Sequence, residues 1–423
     1  MLSGLVHAFR IEDLRKRIFF TLGMFMIFRV GAHLPAPGVD PEQIQFLFEA
    51  GTLFGLLDVI SGGALSAISL FAMGVMPYIN ASIIMQLLTV VVPKFEEWSK
   101  EGDEGRKKLT QVTRYGTVIL ALIQAFGTAV FLSRQGAMFS PNIGSITLVA
   151  ITLTAGTVFL MWLGEQITEN GIGNGISLII FAGIVSRLPQ GAINTFSMLQ
   201  AGAIQFYTVL LLLALGTLLV VAVVWVHEGQ RRIPVQYSKR VVGRRVYGGQ
   251  STHIPMRVNM AGVIPVIFAA SILAFPPTVA AFIQHPWAQV LARNLEFGTV
   301  LHTSIYALLI IFFTYFYTAI QFNPADVSDN LRKHGGYIPG IRPGRPTTEH
   351  LDRVLIRITL FGAFFLAGIS IMPVFFQFLF AGSAPGLFFG GTALLIVVGV
   401  ALETMKQIEA HLLMRHYQGF MKK

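Results

Sequence analysis

Between Thr52 and Val92 the chain carries no Lys or Arg, yet this stretch cannot be one helix, because Gly62, Gly63, Gly74 and Pro77 interrupt it. The interruptions divide it into a short amphipathic front piece, Phe54 to Phe71, bearing Asp58, Ser61, Ser66 and Ser69, and a rear piece of spanning length, Val75 to Val92. A half-polar helix with a broken backbone cannot face lipid. At membrane depth such groups are tolerated only against protein or a water-filled cavity. The stretch therefore predicts a cavity inside a polytopic membrane protein. Composition agrees, with 54% hydrophobic and 12% charged residues and 35 Phe among 423. There is no Cys, which excludes structural disulfides, thiolate metal sites and a thiol nucleophile.

Apolar runs of roughly 17 to 25 residues cross a bilayer. Such runs occur at Ile18–Leu34, Val75–Val92, Gly116–Leu132, Ile146–Leu163, Phe206–Val226, Met260–Ile283, Val300–Ile320, Ile358–Phe380 and Gly386–Leu402. The first lacks a small-residue cleavage pattern and is expected to be a span, not a cleaved signal. A further run, Ile172–Arg187, is short and glycine-rich, so hydropathy alone leaves it open as re-entrant or interfacial.

Basic residues resolve it, since Lys and Arg in short loops mark the cytoplasmic side. They cluster at the N-terminus (Arg10, Arg15, Lys16, Arg17), between Lys94 and Arg114, between Arg231 and Arg257, between Arg332 and Arg357, and at the C-terminus (Lys406, Arg415, Lys422, Lys423). If Ile172–Arg187 did not cross, the cluster beginning at Arg231 would face the wrong side. It is therefore a span, and by the same parity Phe54–Phe71 is a re-entrant or cavity-filling helix on the outer side. The expected fold is all-α, with ten spans and both termini cytoplasmic.

The loops at 227–257 and 321–357 exceed the short connections of packed helices and mix Arg and Lys with Tyr, Gly and Pro. Topology needs only a few charges, so long basic loops point to a docking surface for RNA or an acidic protein. Inside the spans Arg29 is the one clear cation, and snorkelling or pairing in the bundle accounts for it as well as a functional role does. Asn80, Gln86, Gln124 and Asn259 are uncharged polar residues at spanning positions, suited to interhelical hydrogen bonds. Gly171-Ile172-Gly173-Asn174-Gly175 lacks the Lys and the preceding strand of a phosphate loop, which removes a nucleotide site. A secondary transporter also uses interrupted helices, but its coupling carboxylates are missing. An intramembrane enzyme lacks both a His/Glu metal pair and a nucleophile with a base, and no metal or cofactor site is expected.

Four runs carry a family resemblance: Ser61-Gly62-Gly63-Ala64-Leu65, Phe71 to Ile79 (FAMGVMPYI), Trp162 to Ser177 (WLGEQITENGIGNGIS) and Pro339-Gly340-Ile341-Arg342-Pro343-Gly344. Through them, and over essentially its whole length, the chain resembles the SecY family of bacterial protein-conducting channel subunits. The resemblance implies two pseudo-symmetric five-helix halves around an hourglass pore. The corresponding parts are a cytoplasmic N-terminus at 1–17, an N-terminal half at 18–188, an external hinge loop at 189–205, a C-terminal half at 206–405 and a cytoplasmic tail at 406–423.

It further implies a pore ring of Val75, Ile79, Ile176, Ile180, Ile267 and Ile396, where aliphatic side chains dewet a narrow throat and yield to a passing chain. The plug of the family corresponds to the front piece, with Leu56, Leu57, Asp58, Val59, Ile60, Ser61, Gly62, Gly63, Ala64 and Leu65 at its centre. A lateral gate would lie between the second and third spans on one side and the seventh and eighth on the other, its polar cluster matched by Asn80, Gln124 and Asn259. Arg231, Arg232, Lys239, Arg240, Arg244, Arg245, Arg342 and Arg345 fall in the loops where the SecA motor ATPase and the ribosome dock in the family. The implied partners also include SecE, SecG, membrane lipids and substrate polypeptides bearing signal sequences, in a bacterial plasma membrane. On this resemblance the subunit carries no catalytic activity.

Overall fold

The structure, a computed structural model, describes residues 9, 11–40, 62–202, 204–237, 240–242, 245–247, 251–282, 290, 293–295, 298–379 and 391–421. The expected plug residues Leu56 to Ser61, and Lys239 and Arg244, lie outside the described residues. In chain order the helices are α1 (Glu12–His33), α2 (Met76–Val91), α3 (Pro93–Lys100), α4 (Asp103–Arg134), α5 (Ile143–Asn170), α6 (Gly175–Gln200) and α7 (Phe206–Glu228). They continue with α8 (Ile264–Phe282), α9 (Val300–Gln321), α10 (Pro324–Lys333), α11 (Arg345–Leu379) and α12 (Gly391–Met421). Each of the ten expected spans holds one helix of at least 16 residues, and α3 and α10 are short additions between them.

Hydropathy marks where a helix crosses, not where it ends. The 32-residue α4 and the 35-residue α11 start well before their apolar runs. At 1.5 Å per residue α11 is about 52 Å long, well beyond the roughly 30 Å hydrocarbon core, so it projects into water. Much of the 321–357 stretch, expected as loop, is therefore helix, formed by α10 and the start of α11. The expected hinge loop at 189–205 is also largely helix, because α6 runs through Pro189 to Gln200. Its end carries i,i+4 side-chain bonds, Gln190 Nε2 to Asn194 Oδ1 and Thr195 Oγ1 to the Gly191 carbonyl, and it stops just before Gly202 at φ +70°.

Packing falls into two sets. In the first, α2 packs on α4, α4 on α5, α5 on α6, and α1 on α5 and α6; in the second, α8 packs on α9, α9 on α11, α11 on α12, and α7 on α12. The sets touch where α8 meets α2 and α4, and where α12 meets α6. Together they close a ring of helices around one large hydrophobic cluster.

The long basic loops fold together. β1 (Gln230–Tyr237) pairs antiparallel with β4 (Ser251–Arg257), and its end pairs with β5 (Gly336–Tyr337), giving the order β4-β1-β5. β2 (Arg240–Val242) and β3 (Arg245–Tyr247) form a small hairpin between β1 and β4. Ile233, Val235, Met256, Leu331, Ile338, Leu351 and Leu355 supply its own core. Ile233 and Val235 alternate with exposed neighbours, as expected for a strand with one buried face.

Candidate pore and its seal

The glycine run Gly171–Gly175 is a tight hairpin between α5 and α6. A Cβ on Gly175 would lie 1.9 Å from the Gly164 carbonyl oxygen, so only glycine lets the two helices close this near. Asn174 caps α6, its side chain accepting from the Ser177 amide at 3.1 Å. Thr168 Oγ1 accepts from the Gly175 amide, Thr21 Oγ1 accepts from the Ile172 amide, and Arg17 donates to the Gly171 carbonyl. These bonds fix where α6 begins and so place Ile176 and Ile180, one turn apart, on one face. The start of α2 does the same for Val75, its N-cap, and Ile79.

Val75, Ile79, Ile180, Ile267 and Ile396 are buried, between 2% and 8% exposed, and Ile176 is half-buried; all six side chains belong to the large cluster. Below them lies a cavity of about 330 Å³. Its apolar end is made by Ile79, Ile176, Ile180, Ile264, Ile267 and Phe268, and its polar walls by Tyr78, Gln86, Arg114, Glu165, Glu169 and Asn174 among others. Arg114 of α4 and Glu165 of α5 form an ion pair at 2.8 Å in this wall. Only the packing of those two helices reveals it.

Beyond the aliphatic residues sits the described part of the front piece. Gly62 to Val75 is a series of turns, so the helix expected over Phe54–Phe71 does not extend through Gly62–Phe71. The reason lies in its seat. Gly62, Gly63 and Gly74 have φ of +71°, +91° and +57°, unfavourable to helix, and Ile68 is held at +41°. The Leu34 carbonyl accepts from the Leu70 amide, and the Ile68 carbonyl accepts from the Ala36 amide, both at 2.8 Å. Glycines on the surrounding helices make room. The Phe71 ring lies where a Cβ of Gly31 would be and stacks between Phe28 and Phe159, and the Leu70 carbonyl occupies the notch at Gly156. Along α6 the order is informative, because Ile176 and Ile180 border the cavity while Gly183 and Arg187 meet Gly62 to Ser66. From Ile176 to Gly183 the helix rises about 10 Å, which layers cavity, aliphatic ring and covering segment.

The expected polar cluster at the α2/α4–α8 seam is not assembled. Asn80 and Gln124 make no hydrogen bond to each other or to Asn259 among the described residues. Asn259 lies in the turn before α8, donating to the Gly262 carbonyl and contacting His227 Nε2. Helix α8 starts at Ile264, four residues later than the apolar run suggests, and Gly262 at φ +65° makes the turn. Instead Tyr317 of α9 donates to Gln86 of α2, and Ser271 of α8 donates to Met76 Sδ of α2 at 3.3 Å. Gln86 was visible as a polar residue in a span; its partner Tyr317 was hidden in an aromatic run.

Arg231 and Arg232 on β1, Arg342 in the turn after β5 and Arg345 at the start of α11 are exposed, and Arg345 pairs with Glu349. Arg240 and Arg245 open β2 and β3. Pairing of β1 with β5 joins the two basic stretches in one layer.

A cavity bordered by aliphatic side chains from several helices, with a glycine-seated segment beyond them, is the arrangement of a membrane channel. The SecY family model matches residues 69–405. The protein translocase subunit SecY of Halalkalibacterium halodurans is 51% identical, with 100% of both chains covered. That of Pseudomonas aeruginosa is 44% identical over 98% of this chain and 94% of its own. A solved protein-conducting channel superposes with a TM-score of 0.66 at 18% identity, covering 94% of this chain and 92% of that one. Sec61 in a canine ribosome–channel complex gives 0.62 at 17% identity, with the same coverage. The chain belongs to the SecY family.

Proposed function

We propose that this chain is the channel subunit of a bacterial protein translocase, conducting unfolded polypeptides across the plasma membrane and releasing apolar segments sideways into lipid. The observation that carries this is the layering of a polar-walled cavity, six aliphatic side chains and a glycine-seated segment along one axis. A family of translocase subunits and channel structures of the same fold support it. Val75, Ile79, Ile176, Ile180, Ile267 and Ile396 act as the pore ring, and the segment containing Gly62 to Leu65 as its plug. The two packing sets are the halves on either side of the pore, and both termini lie in the cytoplasm with the basic sheet.

No step of transport requires chemistry by this chain, so it acts as a conduit and not as an enzyme. Work is supplied by the SecA motor or a translating ribosome docked on the basic sheet, through Arg231, Arg232, Arg240, Arg245, Arg342 and Arg345. SecE and SecG complete the complex. Helix α7 buries only Thr208, Val223 and Val226 within the chain, which leaves a long apolar face for lipid or for SecE.

The sequence contains no Cys, so single cysteines at Ile79, Ile180, Ile267 and Ile396 report cleanly on a stalled secretory precursor. Adducts are expected at all four. Adducts at none, with the precursor confirmed bound, would move the pore elsewhere.

The seam between α2/α4 and α8/α9 serves as the lateral gate, with the Gln86–Tyr317 bond as its polar clasp. One interhelical hydrogen bond in a membrane is worth about 1 kcal/mol. Tyr317→Phe is therefore expected to shift the gate about fivefold toward opening. The check is export of a precursor with a weakened signal sequence, which should rise in the variant while a normal precursor is unaffected.

A further inference from the structure

We infer that Arg29 and Arg187 form a latch of two guanidinium groups that holds the segment Gly62–Ser66 over the pore at rest and lets go when a polypeptide enters. This rests on the proposal that the segment is the plug. Arg29 lies inside the first span, a place where a cation persists only when its donors are satisfied. Its Nη1 donates to the Gly62 carbonyl at 3.0 Å and to Ser186 Oγ at 2.8 Å. Ser186 in turn donates to the Gly183 carbonyl at 2.7 Å. Arg187 Nη2 donates to Ser66 Oγ at 3.3 Å, one turn of the segment further on.

The same spot is where the segment comes closest to α6. A Cβ on Gly62 would lie 2.8 Å from Gly183 Cα, and one on Gly63 would lie 3.1 Å from Arg187 Nη2. Two glycines thus bring the chain within reach of the two arginines, at φ values that other residues rarely adopt. The chemistry suits a reversible hold. Charge-assisted bonds from a guanidinium are stronger than neutral ones, yet the acceptors named on the segment are a carbonyl and a hydroxyl. The two cations also lie close enough to repel each other, so the grip is opposed from within. Arg29 belongs to α1 and Arg187 to α6, both in the first packing set. The latch thus fastens the segment to one half without bridging the seam, which leaves plug release and gate opening as separate events.

The test is the resting ion current of the full complex in planar bilayers, comparing the parent, Arg29→Gln with Arg187→Gln, Ser66→Ala, a deletion of residues 56–66, and the deletion combined with the double substitution. The double variant is expected to raise the open fraction at least about tenfold, consistent with loss of one charge-assisted hydrogen bond, with single-channel conductance unchanged. Ser66→Ala, which removes one acceptor and leaves both cations in place, should give a smaller rise, and Arg29→Lys should retain part of the seal. The deletion should leak, and the double substitution should add nothing to it. A leaking deletion with a silent double variant and a silent Ser66→Ala overturns the latch and leaves the plug in place. A silent deletion overturns both. Leaks that add in the combined variant place the arginines' effect elsewhere and overturn the latch.

Discussion

Channels carrying Ile79→Asn together with Ile180→Asn are expected to conduct ions at rest at least about tenfold above the parent, a change that needs a barrier only about 1.4 kcal/mol lower. In the parent these side chains are 3% and 2% exposed and lie on α2 and α6, at the apolar end of the cavity. An ion entering such a constriction must shed its hydration against hydrocarbon, and the idealised cost is tens of kcal/mol. Two amides, each with donors and acceptors, can keep water in the throat and lower that cost steeply. Asn is also smaller than Ile, so the throat widens as well as wets. Ile79→Val with Ile180→Val, which removes bulk and adds no polar group, separates the two effects and should stay silent. Planar-bilayer currents from the reconstituted complex decide the matter, and unchanged current in the Asn pair would mean that these residues are not the barrier.

Gly156→Leu should unseat the covering segment and destabilise the protein by about 3 kcal/mol, the upper end of ordinary overpacking costs. A Cβ there would lie 1.9 Å from the Leu70 carbonyl oxygen and 2.8 Å from its carbon. The obstacle is backbone, tied on one side by the bond from the Leu70 amide to Leu34, so it cannot swing away as a side chain would. Thermal unfolding of the purified complex would show a lowered midpoint. Gly23 supplies the control, since it lies in α1 and a Cβ added to it would meet nothing within 4 Å. Gly23→Ala should be neutral or gain about 0.5–1 kcal/mol from reduced chain entropy. Equal losses in the two variants would show that the notch at Gly156 is not specific to the segment.

Much of this was legible in the linear chain. The distribution of Lys and Arg settled the doubtful span Ile172–Arg187, now α6, because charge bias acts on short loops and does not depend on packing. The i,i+4 spacing of Val75 with Ile79 and of Ile176 with Ile180 is also local, a property of helical geometry. Arg29 stood out as an intramembrane cation, but its role could not be read, since its acceptors at Gly62 and Ser186 are far away along the chain. The same limit hid Tyr317 opposite Gln86 and Arg114 opposite Glu165. The family resemblance groups Asn80, Gln124 and Asn259 in one polar cluster; the turn at Gly262 instead carries Asn259 toward His227.

By itself, then, the amino-acid sequence determined that this is a membrane protein of many apolar helices, with a broken and half-polar segment needing an internal cavity, and basic stretches between the apolar runs. Those features follow from hydropathy, helix-breaking residues and charge, each decided over a few neighbouring positions. Tertiary structure alone decided that the segment lies as turns in notches at Gly31, Gly156 and Gly183, that a tyrosine clasps the seam, and that two separate basic stretches become one sheet. The physical reason is that a close approach or a hydrogen bond between distant residues depends on how helices are placed against one another, and no local pattern encodes that placement.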